Sequence, residues 1–201
     1  MSRISLRRRE DLPELEPHFQ AVEKRMGFIP NSQLAMAHKP KLLDAFLAMG
    51  RAATDPDAST SAQLRNMVAY IASYAAGCQY CQAHTASNAS RTQVEDAKID
   101  AIWQYESSPL FSDAERAALR FAQCAATVPN GATDAEFAEM RKYYSEEEIV
   151  EILYVVCYFG FLNRWNDTCA TELEVDPTRF AEARLGGSGW QAGKHAASPE
   201  K

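Results

Sequence analysis

The apolar positions of this chain recur at helical spacing almost throughout. Residues 11–27 place Leu12, Leu15, Phe19, Val22 and Met26 on one stripe, with Pro13 and Pro17 near its start and Gly27 at its end. A short helix capped by Asn31 is predicted over 31–38, and Pro40 is placed to open another that runs to Met49. The polar stretch from Thr54 to Thr60 reads as a loop. Residues 61–76 carry Leu64, Met67, Val68, Ile71 and Ala75 on one face, and Gly77 can then stop the helix in a left-handed conformation.

Four S/T-x-x-E patterns follow, each able to satisfy the free amides of a helix start: Thr92 with Glu95, Ser112 with Glu115, Thr133 with Glu136, and Ser145 with Glu148. Ser107-Ser108-Pro109 and Val128-Pro129-Asn130-Gly131 break the chain between them. The run from Glu146 to about Glu174 includes a strand-like segment at Ile152–Phe159, but its length and its cap favour a buried helix. No Asn-Gly hairpin signal lies between alternating runs, so the expected fold class is an all-α bundle. The segment before Cys78 and the segment from Glu148 to Leu153 faintly echo each other, which suggests an internal helix-hairpin repeat. Residues 1–185 are expected to form one helical domain, followed over 186–201 by a Gly-rich tail with Trp190 as its aromatic anchor. That tail is not read as a phosphate cradle, because neither a strand nor a helix frames it.

Composition narrows the function classes. With 201 residues and 46% hydrophobic content the chain can bury an ordinary core without staples. A net charge of −6 and a pI near 5.3 argue against nucleic acid and against membrane surfaces as partners. The charged N-terminus is followed by no apolar core segment, so it is not read as a signal peptide and a cytoplasmic location is expected. Of the five cysteines, Cys124, Cys157 and Cys169 stand alone and read as buried, inert thiols.

The remaining two carry the chemistry. Gly77-Cys78-Gln79-Tyr80-Cys81-Gln82-Ala83-His84-Thr85 places two thiols and an imidazole within a short span between two helices. If a helix opens at Cys78, its unpaired amides and positive dipole end favour a thiolate there. Positions three apart share a helical face, so Cys78 can reach Cys81 for a disulfide, and Cys81 neighbours His84. A thiol of pKa about 8.5 is roughly 3% thiolate at neutral pH, whereas one near 6.5 is roughly three-quarters thiolate. An attacking thiolate that becomes a sulfenic acid can then be closed to a disulfide by its neighbour. Zinc binding by the same trio lacks a fourth ligand, and no metal or other cofactor is expected.

The pattern Gly-Cys-x-Tyr-Cys-x-x-His after a helix resembles the AhpD-like branch of the carboxymuconolactone decarboxylase superfamily. Gly27-Phe28-Ile29-Pro30-Asn31, Lys39-Pro40-Lys41-Leu42-Leu43 and Phe161-Leu162-Asn163-Arg164 resemble further motifs of its peroxidase-related members. The resemblance implies an AhpD-like helical bundle and a homo-oligomer, trimer or hexamer. It also implies thiol peroxidase activity on a hydroperoxide, with re-reduction by a dithiol, lipoyl or thioredoxin-like donor. Cys78, Cys81 and His84 are the implied catalytic residues, supported by Asn66, Tyr80 and Thr85. Two positions depart from the family. Asn66 stands where family peroxidases carry a glutamate, and Thr85 stands where the histidine usually falls, with His84 one residue earlier. A carboxymuconolactone decarboxylase-type lyase and a non-catalytic redox-sensing oligomer are the alternative readings. Arg164 and Asp167 are expected to form an i,i+3 ion pair.

Overall fold

The computed structural model describes residues 2–197, so the last four positions of the Gly-rich tail lie outside it. Ten α-helices and short 3₁₀ turns make up its regular structure, and among the described residues there is no strand. The helices are α1 (Glu16–Met26), α2 (Asn31–Met36), α3 (Pro40–Ala53), α4 (Ala62–Ala75), α5 (Gln79–Arg91), α6 (Asp96–Asp100), α7 (Asp113–Ala126), α8 (Asp134–Met140), α9 (Glu146–Cys169) and α10 (Val175–Leu185).

The main core gathers around α4, which packs on α5, α7 and α9. Val68 and Ile71 of α4, Leu119 and Phe121 of α7, and Ile152 of α9 are fully buried there. A second, smaller core belongs to the N-terminal segment, where Leu12, Phe19, Met36, Leu43 and Phe46 pack against Tyr158, Phe161 and Trp165 of α9. Helix α9 is apolar on nearly all sides because it separates the two cores, touching α4 and α7 on one side and α3 on the other. This resolves the strand-like run in favour of a helix.

Helix α5 is buried for a different reason. Large apolar side chains are few in it, but Ala83, Ala86 and Ala89 are fully packed. These small residues let its backbone lie close to α4 and α10. Its neighbours hold it more than its own hydrophobic surface does.

Three of the four S/T-x-x-E patterns are reciprocal capping boxes, at Ser112, Thr133 and Ser145. The fourth is a correction. Thr92 closes α5, its hydroxyl donating to the carbonyls of Asn88 and Ala89, while Glu95 precedes α6 without a side-chain cap bond. Asn31 is also not a cap but the first residue of α2, and its side chain donates to the Glu172 carbonyl. Helix α9 ends earlier than the sequence suggests, at Cys169, where Ala170 turns left-handed at φ 48°. It runs unbroken through Asn163, so the second half of the suspected echo contains no turn.

Candidate functional site

The two thiols sit where α4 hands over to α5. Helix α4 stops at Ala75, and Gly77 takes φ +71°, a conformation a β-carbon would strain. Cys78 then becomes the N-cap of α5, its Sγ accepting from the Cys81 amide at 3.4 Å, in the place a serine or aspartate oxygen usually fills. The cap therefore fixes Cys78 beside Cys81. Both are reduced and buried, at 0% and 2% exposure.

Burial hides the two sulfurs to different degrees. A cavity of about 510 Å³ opens along the seam between the two cores, and Cys81 lines it while Cys78 does not. Around Cys81 the wall is formed by Phe46, Tyr80, His84, Tyr158, Leu162 and Asn166. The Asn166 amide donates to the Cys81 Sγ at 3.5 Å. Charge is distributed unevenly over the pair. A hydrogen bond from the Cys81 thiol holds Cys78 below its ordinary pKa against the penalty of burial. Burial, followed by the neighbouring Cys78, pushes Cys81 well above its own. The two neighbouring thiols are therefore biased in opposite directions, Cys78 towards the thiolate and Cys81 towards the thiol.

His84 faces the same cavity and is held by a residue ninety positions away. Its Nε2 lies 2.7 Å from Glu174 Oε2, and its ring stacks on Tyr80 at 4.4 Å between centroids. The Tyr80 hydroxyl donates to the other carboxylate oxygen at 2.9 Å, and the Asn31 backbone N–H donates to the same oxygen at 2.5 Å. Glu174 stands at the N-cap of α10 yet makes no cap bond, because its carboxylate is turned across to α5. Burial tends to raise its pKa, but the His84 ring and the Asn31 amide outweigh that and hold it below the ordinary carboxylate value. An ionised carboxylate accepts only, so Nε2 of His84 carries the proton in this contact.

On the opposite side of the sulfurs, Cys78 Sγ, an Asp167 oxygen and a His195 ring nitrogen lie within 4.8 Å of one another. The Lys194 ammonium pairs with the other Asp167 oxygen at 2.7 Å. Asp167 consequently does not pair with Arg164, whose guanidinium turns back to the Gly160 carbonyl.

Known proteins can now be set against this geometry. Residues 40–124 match the carboxymuconolactone decarboxylase family. The debrominase Bmp8 is 36% identical, with 89% of this chain aligned to 96% of that one at a TM-score of 0.83. The chain belongs to the carboxymuconolactone decarboxylase superfamily. A cysteine-to-alanine variant of Bmp8, solved with 2,3,4-tribromopyrrole, aligns equally well at 35% identity over 90% of this chain and 96% of that one, TM-score 0.83. An AhpD-core, peroxidase-related protein from Ralstonia eutropha JMP134 shares the fold at 24% identity, 91% and 96% coverage and TM-score 0.81. Among sequences, the uncharacterized protein YnjA of Escherichia coli (strain K12) is 26% identical over 89 residues, 44% of this chain and 49% of that protein. The match thus spans about half the length of that relative.

Within this superfamily frame, the two departures have structural answers. Asn66 lines the cavity but donates to the Ala62 carbonyl and the Thr92 hydroxyl, away from the sulfurs. Thr85 is fully buried and donates to the Cys81 carbonyl at 2.7 Å, a bond within its own helix. Both side chains are hydrogen-bonded to helix carbonyls. The carboxylate near His84 is Glu174, which sequence reading missed because an N-cap glutamate carries no pattern. Asn166, Asp167 and His195 were missed too. The lone cysteines divide: Cys169 is buried, Cys124 is half-buried and Cys157 is exposed, so the expectation of burial fails at Cys157. That residue lies on the stretch of α9 that reaches the surface.

Proposed function

We propose that this chain is a thiol-dependent oxidoreductase in which Cys81 meets an electrophilic substrate in the cavity and Cys78 closes a disulfide behind it. The observation that carries this reading is the asymmetry of the pair: one sulfur lines the cavity and the other lies one helical turn behind it. The dithiol supplies two electrons, and a dithiol reductant restores it.

The substrate class favoured is a compact, largely apolar ring bearing a reducible halogen, with bromide released and carbon–hydrogen formed. Likeness to the debrominase Bmp8 over most of both chains supports it, as does the cavity wall of Phe46, Tyr158 and Leu162. The charged lining residues Arg25, Arg65 and Arg91 are all cationic, which suits a ring that carries negative charge. A second reading is thiol peroxidase activity, in which an alkyl hydroperoxide becomes alcohol and water. The His84–Glu174 pair favours keeping it, because a leaving alkoxide needs a proton at this wall.

Incubating the reduced protein with dithiothreitol and either 2,3,4-tribromopyrrole or cumene hydroperoxide tests both. Bromide release should exceed peroxide consumption in turnover. Equal turnover by Cys81→Ser in both assays ends the thiol reading.

A further inference from the structure

The front of the site leaves one proton unassigned. Once Cys81 has taken its group from the substrate, the Cys78 thiol, with its proton, is the group that must close the disulfide. Cys78 must then lose that proton before it can attack Cys81 in turn, because only a thiolate displaces sulfur-bound groups at useful rates. Cys78 does not line the cavity, and the cavity residue that touches it is Cys81 itself.

His195 lies on that hidden side. It belongs to a 3₁₀ turn (Gly193–His195) near the end of the described chain and is completely buried. The turn is held by two bonds to the segment after α9: the Leu173 amide donates to the His195 carbonyl at 2.8 Å, and His195 Nδ1 lies 2.7 Å from the Thr171 carbonyl. A carbonyl can only accept, so Nδ1 carries the hydrogen and Nε2 presents a lone pair. Among the described residues, that Nε2 has no hydrogen-bond partner, although it is sealed from water. Its neighbours are Cys78 Sγ and Asp167, with Asp167 Oδ1 at 3.7 Å. A buried, unpartnered acceptor is costly, and a group that must receive a proton is one reason to keep it.

Resting on the thiol-oxidoreductase reading above, we infer that His195 Nε2 is the proton acceptor for Cys78 during disulfide closure, with Asp167 stabilising the imidazolium. The Cys78 S–H proton passes to Nε2 and its electron pair forms the S–S bond to Cys81. The bond from Cys81 to the group it took from the substrate breaks, and that group leaves with the pair, as bromide or as hydroxide that becomes water. Burial lowers the pKa of His195, so it is neutral and ready at neutral pH. The groups facing it are Asp167 from α9, Cys78 at the head of α5, the Tyr80 ring at 5.9 Å and Lys194 in its own turn.

Full-length protein carrying Cys124→Ser and Cys157→Ser, mixed with dithiobis(nitrobenzoate), reads the two steps apart. The first thionitrobenzoate marks capture by Cys81, and the second marks attack by Cys78 on the mixed disulfide. His195→Asn keeps an N–H for the Thr171 carbonyl but removes the base. It should leave the first release within about twofold and slow the second by about 100-fold, with added imidazole restoring part of the loss. Equal second phases in both proteins overturn the inference alone. A single thionitrobenzoate from the otherwise unchanged background overturns the disulfide reading beneath it. If His195→Asn does not fold, His195→Gln carries the same test.

Discussion

Two histidine–carboxylate pairs flank the sulfurs, and they are built differently. In front, His84 and Glu174 are locked at 2.7 Å, with Tyr80 and the Asn31 amide completing the carboxylate's partners. Behind, His195 and Asp167 stand at 3.7 Å, and the carboxylate is shared with Lys194. The tight pair stands at the cavity wall. Among the described residues, the loose pair leaves a ring nitrogen without a hydrogen bond beside Cys78, which does not line the cavity. In the proposed reaction, electrophile capture and disulfide closure would draw on separate histidine–carboxylate pairs, one on each side of the two cysteines.

The largest effect should come from the sulfurs themselves. Cys81→Ser should reduce turnover by at least about 1,000-fold, since it removes the nucleophile of the first step. Cys78→Ser should still capture one equivalent of substrate and then stall. A rapid-quench burst in Cys78→Ser but not in Cys81→Ser establishes the order. A burst in the reverse variant would exchange the front and back roles.

Next come the carboxylates. Glu174→Gln keeps the shape but removes the charge that orients His84, and should slow substrate capture by about 10- to 100-fold. Asp167→Asn should leave capture within about twofold and slow closure instead. Similar losses in both steps for both variants would show that the two faces are not independent.

Half of this comparison was legible in the sequence. The Cys78/Cys81/His84 spacing falls at the start of α5, with Cys78 as its N-cap one residue before the helical first turn expected for it, because a short helical motif fixes its own geometry. The all-α class was also readable from periodicity, even at Ile152–Phe159, where composition favours a strand. The carboxylates and His195 were not legible. They reach the site through contacts spanning most of the chain, as in the Asn31 amide bond to Glu174, and no local spacing records such contacts. The Gly-rich tail read as a loop with Trp190 as its one anchor, because His195 contributes a single buried ring and not a pattern.

The same carboxylate gives a pH prediction. Glu174 has a folded pKa below its ordinary value of 4.5, so its contribution is fully present above that value and is lost as pH falls through the folded pKa. Thermal melts of the wild type should therefore drop on acidification below about 4.5, and Glu174→Gln should flatten that dependence. At neutral pH the variant should cost about 2–3 kcal/mol, because Tyr80, His84 and the Asn31 amide all lose a charged partner. An unchanged acid limb would move the titration to another group.

The smallest effect tests whether Thr85 belongs to the front pair or only to its helix. Its position corresponds to the usual histidine of the superfamily, which makes it a natural suspect for proton transfer. Its hydroxyl, however, is spent on the Cys81 and Gln82 carbonyls at 2.7 and 3.1 Å, and it is fully buried. Those carbonyls already accept from helix amides, so the hydroxyl adds a second bond to each and is not indispensable. Thr85→Val preserves the branched shape and should lower stability by about 1 kcal/mol in urea unfolding, with capture and closure rates unchanged. A rate loss above about tenfold with that small stability change would mean that the hydroxyl turns toward Cys81 during the reaction, and the front pair would then have a third member.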